Sequence, residues 1–196
     1  MRQAILAALR RQPAQGGIPW TIHHELLPRG NLERRLRGRG LAIVEKGVRP
    51  YREGSRRVSL EERRGWEGEG LLYLRTWHTP LGDLESRLRE GPDGSLWTER
   101  YPLAGPADFR ILEYLSEDVE YRPNHEAVAA AQAALGEDGL VLGRLMRSPA
   151  QRLLTEWLGP VGFSYALADA PRELDLLIAR LGNCDVVVEL GRYLVG

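Results

Sequence analysis

The stretch that decides the fold reads Leu-Leu-Tyr-Leu-Arg-Thr-Trp-His-Thr-Pro-Leu-Gly-Asp-Leu over residues 71–84. It returns as Leu-Trp-Thr-Glu-Arg-Tyr-Pro-Leu over residues 96–103. Between these two runs lies the turn sequence Pro-Asp-Gly at residues 92–94. Proline fixes φ and glycine accepts a positive φ, so this tripeptide favours a tight reversal. The sequence therefore predicts an antiparallel hairpin at about residues 71–101.

The second half of that hairpin has the pattern of a half-solvated strand. Leu84, Ser86 and Leu88 share one face, while the residues between them are charged. This period of two is typical of an antiparallel strand with one face on the core.

The rest of the chain has a different rhythm, in which short apolar runs alternate with amphipathic helices. Strands are predicted at residues 18–22, 41–44, 57–60, 139–143 and 185–190. Caps, prolines and apolar stripes predict helices at residues 2–11, from Asn31 to Gly38 or Gly40, from Pro106 through Leu115, from Asn124 to Gly136, from Ser148-Pro149 through Leu158 with Gly159 past its end, and from about Ala170 through Leu181. Apolar strands separated by helices are expected to pair in parallel through right-handed crossovers. The hairpin does not belong to such a sheet, so we interpret it as an insertion or an added sub-sheet in an α/β fold.

Composition limits the classes of partner. The chain has 196 residues with 27 Lys and Arg against 27 Asp and Glu, so no net field favours nucleic acid or an anionic membrane. The single cysteine, Cys184, excludes an internal disulfide and a cysteine-built metal site. No run approaches the ~18 apolar residues of a membrane span. The sequence therefore predicts a cytoplasmic protein that binds neither nucleic acid nor membrane.

Chemistry is expected where parallel strands end, because barrel enzymes place their sites at the C-terminal ends of their strands. The first predicted strand delivers His23 and His24 there. Adjacent strand residues face opposite sides, so at most one of the two points into a pocket. Either histidine is a candidate for substrate binding; packing at the end of the strand is the alternative.

Two further strand ends carry candidates. Arg144 and Arg147 follow the strand at residues 139–143 and precede a helix start, an arrangement that would bind a substrate carboxylate or phosphate. The alternative is that both guanidinium groups are solvated. Glu189 ends the strand at residues 185–190, where a carboxylate would serve as a catalytic acid or base, or would simply cap the sheet.

Three segments together resemble the uroporphyrinogen decarboxylase superfamily, in particular its divergent members related to cobalamin-dependent methyltransferases. They are the W-x-T-P-x-G stretch Trp77–Gly82, the helix Pro106–Leu115 and the segment Val141–Pro149. The resemblance implies a TIM-type (β/α)₈ barrel, which needs about 250 residues. Residues 1–196 would then be the N-terminal portion of such a barrel, a partial one that carries the hairpin as an insertion.

The resemblance also implies a function. In the superfamily the reaction is decarboxylation of a tetrapyrrole or methyl transfer involving a corrinoid, so the expected partner is a tetrapyrrole or a methyl donor. The arginine-rich R-Q-A-G-R segment of true decarboxylases is replaced here by His23–Arg29, which favours the methyl-transfer branch. Zinc and a corrinoid are implied only for the complete barrel, because the family's metal ligands lie in its C-terminal half.

From this resemblance we expect a chain that binds no cofactor and is inactive when alone. The alternative function is a non-catalytic assembly module that completes its barrel with a complementary chain or forms a homo-oligomer, since an open half-barrel exposes strand edges.

Overall fold

The computed structural model describes residues 1–12, 19–68 and 70–182, and in them helices and strands are mixed. The fold is therefore α/β, as predicted. The helices are α1 (Arg2–Leu9), α2 (Asn31–Gly38), α3 (Phe109–Asp118), α4 (His125–Leu135), α5 (Pro149–Arg152), α6 (Gly159–Asp169) and α7 (Pro171–Gly182). The strands are β1 (Thr21–His23), β2 (Ala42–Glu45), β3 (Tyr51–Ser55), β4 (Ser59–Glu67), β5 (Gly70–Thr79), β6 (Gly82–Glu90), β7 (Leu96–Arg100), β8 (Val119–Pro123) and β9 (Gly139–Val141). None of the described helices is both long enough and apolar enough to span a bilayer.

The described chain divides into two compact units. Unit 1 contains residues 1–52 and 122–146, and unit 2 contains residues 53–121 and the described residues from 147 onward. Strands β3 and β8 pair with each other, and each runs from one unit into the other. Neither unit is therefore continuous in sequence.

Unit 1 is built on a three-stranded parallel sheet in the order β1-β2-β9. Its central strand β2 is buried on both faces, as expected for a parallel sheet covered by helices. Ala42 packs with Ile5 of α1 on one side, and Ile43 packs with Leu27 and partly buried Leu135 of α4 on the other. The runs at residues 41–44 and 139–143 thus pair in parallel. The parallel partner predicted for residues 139–143 is the run at residues 185–190, so that pairing stays a prediction.

The described strands form three separate sheets, and none of these sheets closes into a barrel. The first strand begins at Thr21 rather than Ile18, which lies outside the described residues. The strand predicted at residues 185–190 also lies outside them. The described part thus contains an open parallel sheet whose strands follow chain order.

Unit 2 contains the region predicted as a hairpin, but that region is larger than expected. Strands β4, β5, β6 and β7 form a four-stranded antiparallel meander, with the predicted Pro-Asp-Gly turn between β6 and β7. The additional strand β4 replaces the short strand predicted at residues 57–60. Leu84 and Ser86 are 2% and 4% exposed, so the predicted buried face of β6 is confirmed.

The meander shares one core with the helices of unit 2. Leu84 of β6 packs with Leu112 of α3, with Leu177 of α7 and with Leu153, which follows α5. All four are almost fully buried. As predicted, Gly159 lies past the end of the helix that starts at Ser148-Pro149. That helix continues as a π-helical segment at Leu153–Trp157, and Gly159, with φ +71°, also begins α6. The hairpin region is thus part of a core and not only an appended sub-sheet.

Asp118 is a buried carboxylate, with 3% of its surface exposed. Its oxygen Oδ2 accepts the backbone N–H groups of Arg57, Val58 and Arg56 at 2.9, 3.0 and 3.0 Å. The guanidinium Nε of Arg57 donates to Oδ1 at 3.1 Å. The backbone N–H of Arg57, followed by those of Val58 and Arg56, lowers the pKa of Asp118 to about 2, because these donors stabilise the charged form. Asp118 thereby fixes the turn that leads into β4.

Candidate functional site

A pocket of about 410 Å³ lies in unit 1, where all three parallel strands end. We call it the edge pocket. Its lining residues come from the segments that follow β1, β2 and β9; they are His23, Glu25, Lys46, Gly47, Leu142, Gly143 and Arg144. The C-terminal edge of a parallel sheet is the usual place for a ligand in α/β proteins, because the loops there converge.

Backbone contacts hold the segments after β2 and β9 side by side. The N–H of Leu142 donates to the carbonyl oxygen of Glu45 at 2.7 Å, and the N–H of Arg144 donates to that of Val48 at 3.0 Å. These two bonds continue the pairing of β2 and β9 past the C-terminal end of β9, as far as Val48 and Arg144. The edge pocket therefore inherits its geometry from the sheet.

A hydrogen bond from Gly47 organises the turn after β2. The carboxylate oxygen Oε1 of Glu45 accepts the N–H of Gly47 at 2.5 Å. This bond connects the last residue of β2 to the turn that carries Lys46 at the pocket.

His23 lines the pocket with a defined ring orientation. Its Nδ1 accepts the N–H of Glu25 at 3.3 Å, which caps the short helical turn His24–Leu26. Because Nδ1 is an acceptor, the proton of the neutral ring lies on Nε2. The ring therefore keeps Nε2 as a hydrogen-bond donor.

The pocket carries two cationic side chains that form no ion pair within the described part of the chain. Lys46 and Arg144 are exposed, and neither forms an ion pair with another described residue. The carboxylate of Glu25 lies 3.6 Å from Nδ1 of His23 and is the acidic group of the lining. Two such cations and a histidine donor form an arrangement suited to a carboxylate or phosphate.

His24 lines a second pocket, although it begins the 3₁₀ turn after β1 and its ring lies 5.0 Å from that of His23. That pocket has a volume of about 520 Å³ and is lined by β2 and the helices α2 and α4. The Nδ1 of His24 lies 2.9 Å from Oε2 of Glu45, a contact with the distance but not the geometry of a hydrogen bond. His23 and His24 therefore line different pockets, and only His23 lines the edge pocket.

The other predicted site residues have separate outcomes. Arg144 lines the edge pocket, but Arg147 belongs to unit 2, where its Nη1 donates to Oε1 of Glu156 at 2.8 Å. The structure thus does not place both arginines in the lining of one pocket. Glu189 lies outside the described residues, so its catalytic role stays a prediction.

Sequence reasoning overlooked Lys46. The strand at residues 41–44 was predicted, but the residues that follow its C-terminal end were not considered as candidates. The signal was the sequence Glu45-Lys46-Gly47, in which a cation and a turn glycine directly follow an apolar strand. The same rule that selected His23 and Arg144 would have selected Lys46.

The Trp77–Gly82 stretch lies in unit 2, where it contributes a core contact and a charged cluster. The rings of Trp77 and Trp157 pack with their centroids 5.2 Å apart. His78 has Asp83 Oδ2 at 2.9 Å from Nδ1 and Glu61 Oε2 at 3.5 Å from Nε2. Asp83, and then Glu61, raise the pKa of His78, because carboxylates at both ring nitrogens favour the charged ring.

Within residues 1–12, 19–68 and 70–182, no three His, Cys, Asp or Glu side chains are close enough together to hold a metal ion. Comparison of this chain with protein-family models, with curated proteins and with solved structures gave no match.

Proposed function

We propose that this chain supplies the first strands of a uroporphyrinogen-decarboxylase-like barrel enzyme and binds a carboxylate of its small-molecule substrate in the edge pocket. The substrate is a tetrapyrrole if the enzyme is a decarboxylase, or a methyl donor if it transfers a methyl group by way of a corrinoid. The observation that carries the proposal is the pair of cations at the C-terminal edge of the parallel sheet, Lys46 and Arg144, neither of which forms an ion pair with a residue that the structure describes.

The order of the strands supports the barrel part of the proposal. Strands β1, β2 and β9 are neighbours in the same order as in the chain, and all are parallel. A barrel grows by adding each new parallel strand beside the previous one, with its helix outside. Helices α2 and α4 lead into β2 and β9 in this way.

The side chains of the edge pocket support the ligand part. Lys46 and Arg144 would pair with substrate carboxylates, and the Nε2–H of His23 would donate a hydrogen bond to the same ligand. Arg144 is suited to bidentate binding, because its planar guanidinium matches a carboxylate. Zinc and a corrinoid belong to the methyl-transfer branch of this proposal.

The test is binding of two soluble ligands to the purified chain, with uroporphyrin as the carboxylate-rich tetrapyrrole and hydroxocobalamin as the corrinoid. Lys46→Ala and Arg144→Ala should each weaken the uroporphyrin complex about tenfold or more, since a charge-assisted pair is lost. The matched control is Arg147→Ala, because that arginine is three positions away and is paired with Glu156.

Turnover separates the two branches once the chain is combined with strands that complete its barrel, because the chain is expected to be inactive when alone. Release of carbon dioxide from uroporphyrinogen would support the decarboxylase, and demethylation of methylcobalamin by a thiol would support the methyltransferase. A folded chain that binds neither ligand would remove the enzymatic proposal and leave the assembly module. Equal loss of binding in Arg144→Ala and Arg147→Ala would disconnect the ligand from the edge pocket.

A further inference from the structure

Strand β4 forms one edge of the meander in unit 2. It pairs with β5 along its whole length, from Ser59 opposite His78 to Glu67 opposite Gly70. Among the described residues, one backbone group of β4 bonds outside this ladder: at the end of the strand, the carbonyl oxygen of Glu67 accepts Nη1 of Arg89 at 3.0 Å. Every residue of β4 except Glu61 is exposed. A nine-residue strand about 30 Å long with one unpaired side is a template for another strand.

The exposed apolar residues of β4 lie at equal distances on either side of Arg63. Leu60 and Trp66 are 55% and 77% exposed, and both lie on the face of β4 that carries Trp77 of β5. Between them on the same face lie Glu62 and Arg64. The order is therefore apolar, acidic, basic, apolar, with Arg63 at its centre.

We propose that β4 pairs with β4 of a second copy of this chain as an antiparallel, two-fold symmetric edge centred on Arg63. In this register Leu60 lies opposite Trp66 of the other copy, and Glu62 lies opposite Arg64. Each contact occurs twice because of the two-fold symmetry. The two meanders then form one continuous eight-stranded sheet.

The charges of β4 fit this register. Arg64 has no ion-pair partner among the described residues, whereas Oε2 of Glu62 accepts Nε of Arg75 at 2.7 Å. The carboxylate of Glu62 would therefore be shared between Arg75 of its own chain and Arg64 of the other copy. The two Arg63 side chains meet at the centre, but Oε1 of Glu61 accepts from Nε of each Arg63 at 2.7 Å within its own strand. Oppositely charged cross-strand pairs stabilise a sheet, and aromatic–aliphatic pairs do as well.

The nearest competing register does not fit. Centring the pair on Glu62 would place Leu60 opposite Arg64 and would oppose the two Glu62 carboxylates. The other edge of the meander, β7, has only five residues, and pairing it on Thr98 would place Trp97 opposite Glu99. Self-complementarity thus distinguishes β4 from β7.

The first experiment measures the dimer by sedimentation velocity over a range of protein concentrations. Trp66→Ala should weaken the dimer about tenfold, since two symmetric contacts are lost. Trp97→Ala is the matched control, because Trp97 is 68% exposed on the same sheet but at the other edge, and it should leave the dimer unchanged.

A charge exchange tests the register. In an Arg64→Glu dimer, each Glu62 would lie opposite the introduced glutamate of the other copy, and these two repulsive pairs should weaken the dimer at least about tenfold. In a Glu62→Arg dimer, each Arg64 would lie opposite a second arginine, with the same expected effect. An equal mixture of the two variants restores both opposite-charge pairs and should dimerise like the wild-type chain. Thermal melts of each variant check that the monomer remains folded.

Crosslinking gives the final criterion, in a background that carries Cys184→Ser. Arg63→Cys should form a disulfide-linked dimer under mild oxidation, because the two positions lie directly opposite. Glu61→Cys should not, since its counterpart lies four residues away along the partner strand. A chain that is monomeric at all concentrations, a mixture that fails to restore association, or equal crosslinking at positions 61 and 63 would overturn the proposal. These results do not depend on ligand binding, so the edge pairing and the enzymatic function succeed or fail separately.

Discussion

Gly139 is the position at which one methyl group should disturb the parallel sheet and the edge pocket together. It is the first residue of β9 and lies opposite Ile43 of β2. A Cβ atom at position 139 would lie 2.8 Å from the carbonyl carbon of Ile43, 3.0 Å from its nitrogen and closer still to its oxygen. Carbon atoms in contact are normally about 3.5–4.0 Å apart, so the two strands would have to separate.

The magnitude follows from two contributions. Overpacking of a well-packed site costs about 1–3 kcal/mol, and each ladder hydrogen bond that is weakened costs about 1 kcal/mol. Gly139→Ala should therefore lower the free energy of unfolding by about 2–4 kcal/mol. For a chain of this size, that corresponds to a fall in Tm of about 5–15 °C.

The assay is thermal and urea unfolding followed by circular dichroism, with Gly54→Ala as the control. Gly54 also lies in a strand, but a Cβ atom there would meet nothing within 4 Å, so its replacement should change stability by less than about 1 kcal/mol. Gly139→Ala should also weaken uroporphyrin binding, because Arg144 follows β9. A Gly139→Ala protein as stable as the wild type would refute the close approach of β2 and β9.

Three further results are expected. Because the pKa of Asp118 is lowered to about 2 in the folded chain, its stabilising contribution is complete above the unfolded pKa near 3.8 and is lost as the pH falls through about 2. In urea melts at a series of pH values, the free energy of unfolding of Asp118→Asn should therefore fall less steeply with acid than that of the wild type. The pKa of His78 is raised in the folded chain, so its contribution to stability is complete below the unfolded pKa of 6.5 and is lost as the pH rises through the higher folded pKa. NMR titration of the ring would measure the folded pKa, and comparison with His78→Gln would measure the contribution to stability. Gly159→Ala should prevent folding of unit 2, because φ is +71° and a Cβ atom would enter the ring of Tyr101. Gly162→Ala in the same helix meets only ordinary contacts at 3.5 Å, so circular dichroism should show that it folds normally.

The sequence predicted strands of the parallel sheet because they carry a strong signal. The runs at residues 41–44 and 139–143 are apolar throughout, which is what a strand buried on both faces requires. Residues 139–141 and 42–45 therefore became β9 and β2 almost as expected. His23 and His24 line different pockets, but their rings lie 5.0 Å apart and His24 begins a 3₁₀ turn, so the period of two does not explain their placement.

The sequence did not predict β3, β8, α6 or most of β4, and for two of these the reason is clear. The strand β4 reads Ser-Leu-Glu-Glu-Arg-Arg-Gly-Trp-Glu, and an exposed edge strand with charged residues on both faces has no alternation to detect. Helix α6 begins with Gly159 and Pro160, residues that normally mark the end of a helix. Its position depends on contacts with residues distant in sequence, among them the close approach of Gly159 to Tyr101.

The site was predicted only where a strand end was examined. His23 and Arg144 line the edge pocket, while Arg147 follows the same strand and pairs with Glu156 instead. Nothing in the local sequence separates the two arginines, because the difference arises from the chain passing from unit 1 into unit 2 between them.

The interrupted course of unit 1 has a consequence for biosynthesis. Strand β2 bonds to β9, although Ile43 and Gly139 are nearly one hundred residues apart in the chain. During translation the meander can fold from neighbouring segments as they emerge, whereas the central strand of unit 1 must wait for its last partner, and pairing over such a distance is slow. The ligand site should consequently be absent from every nascent chain shorter than about residue 144, and ribosome-bound intermediates of that length should expose an unfinished sheet to chaperones.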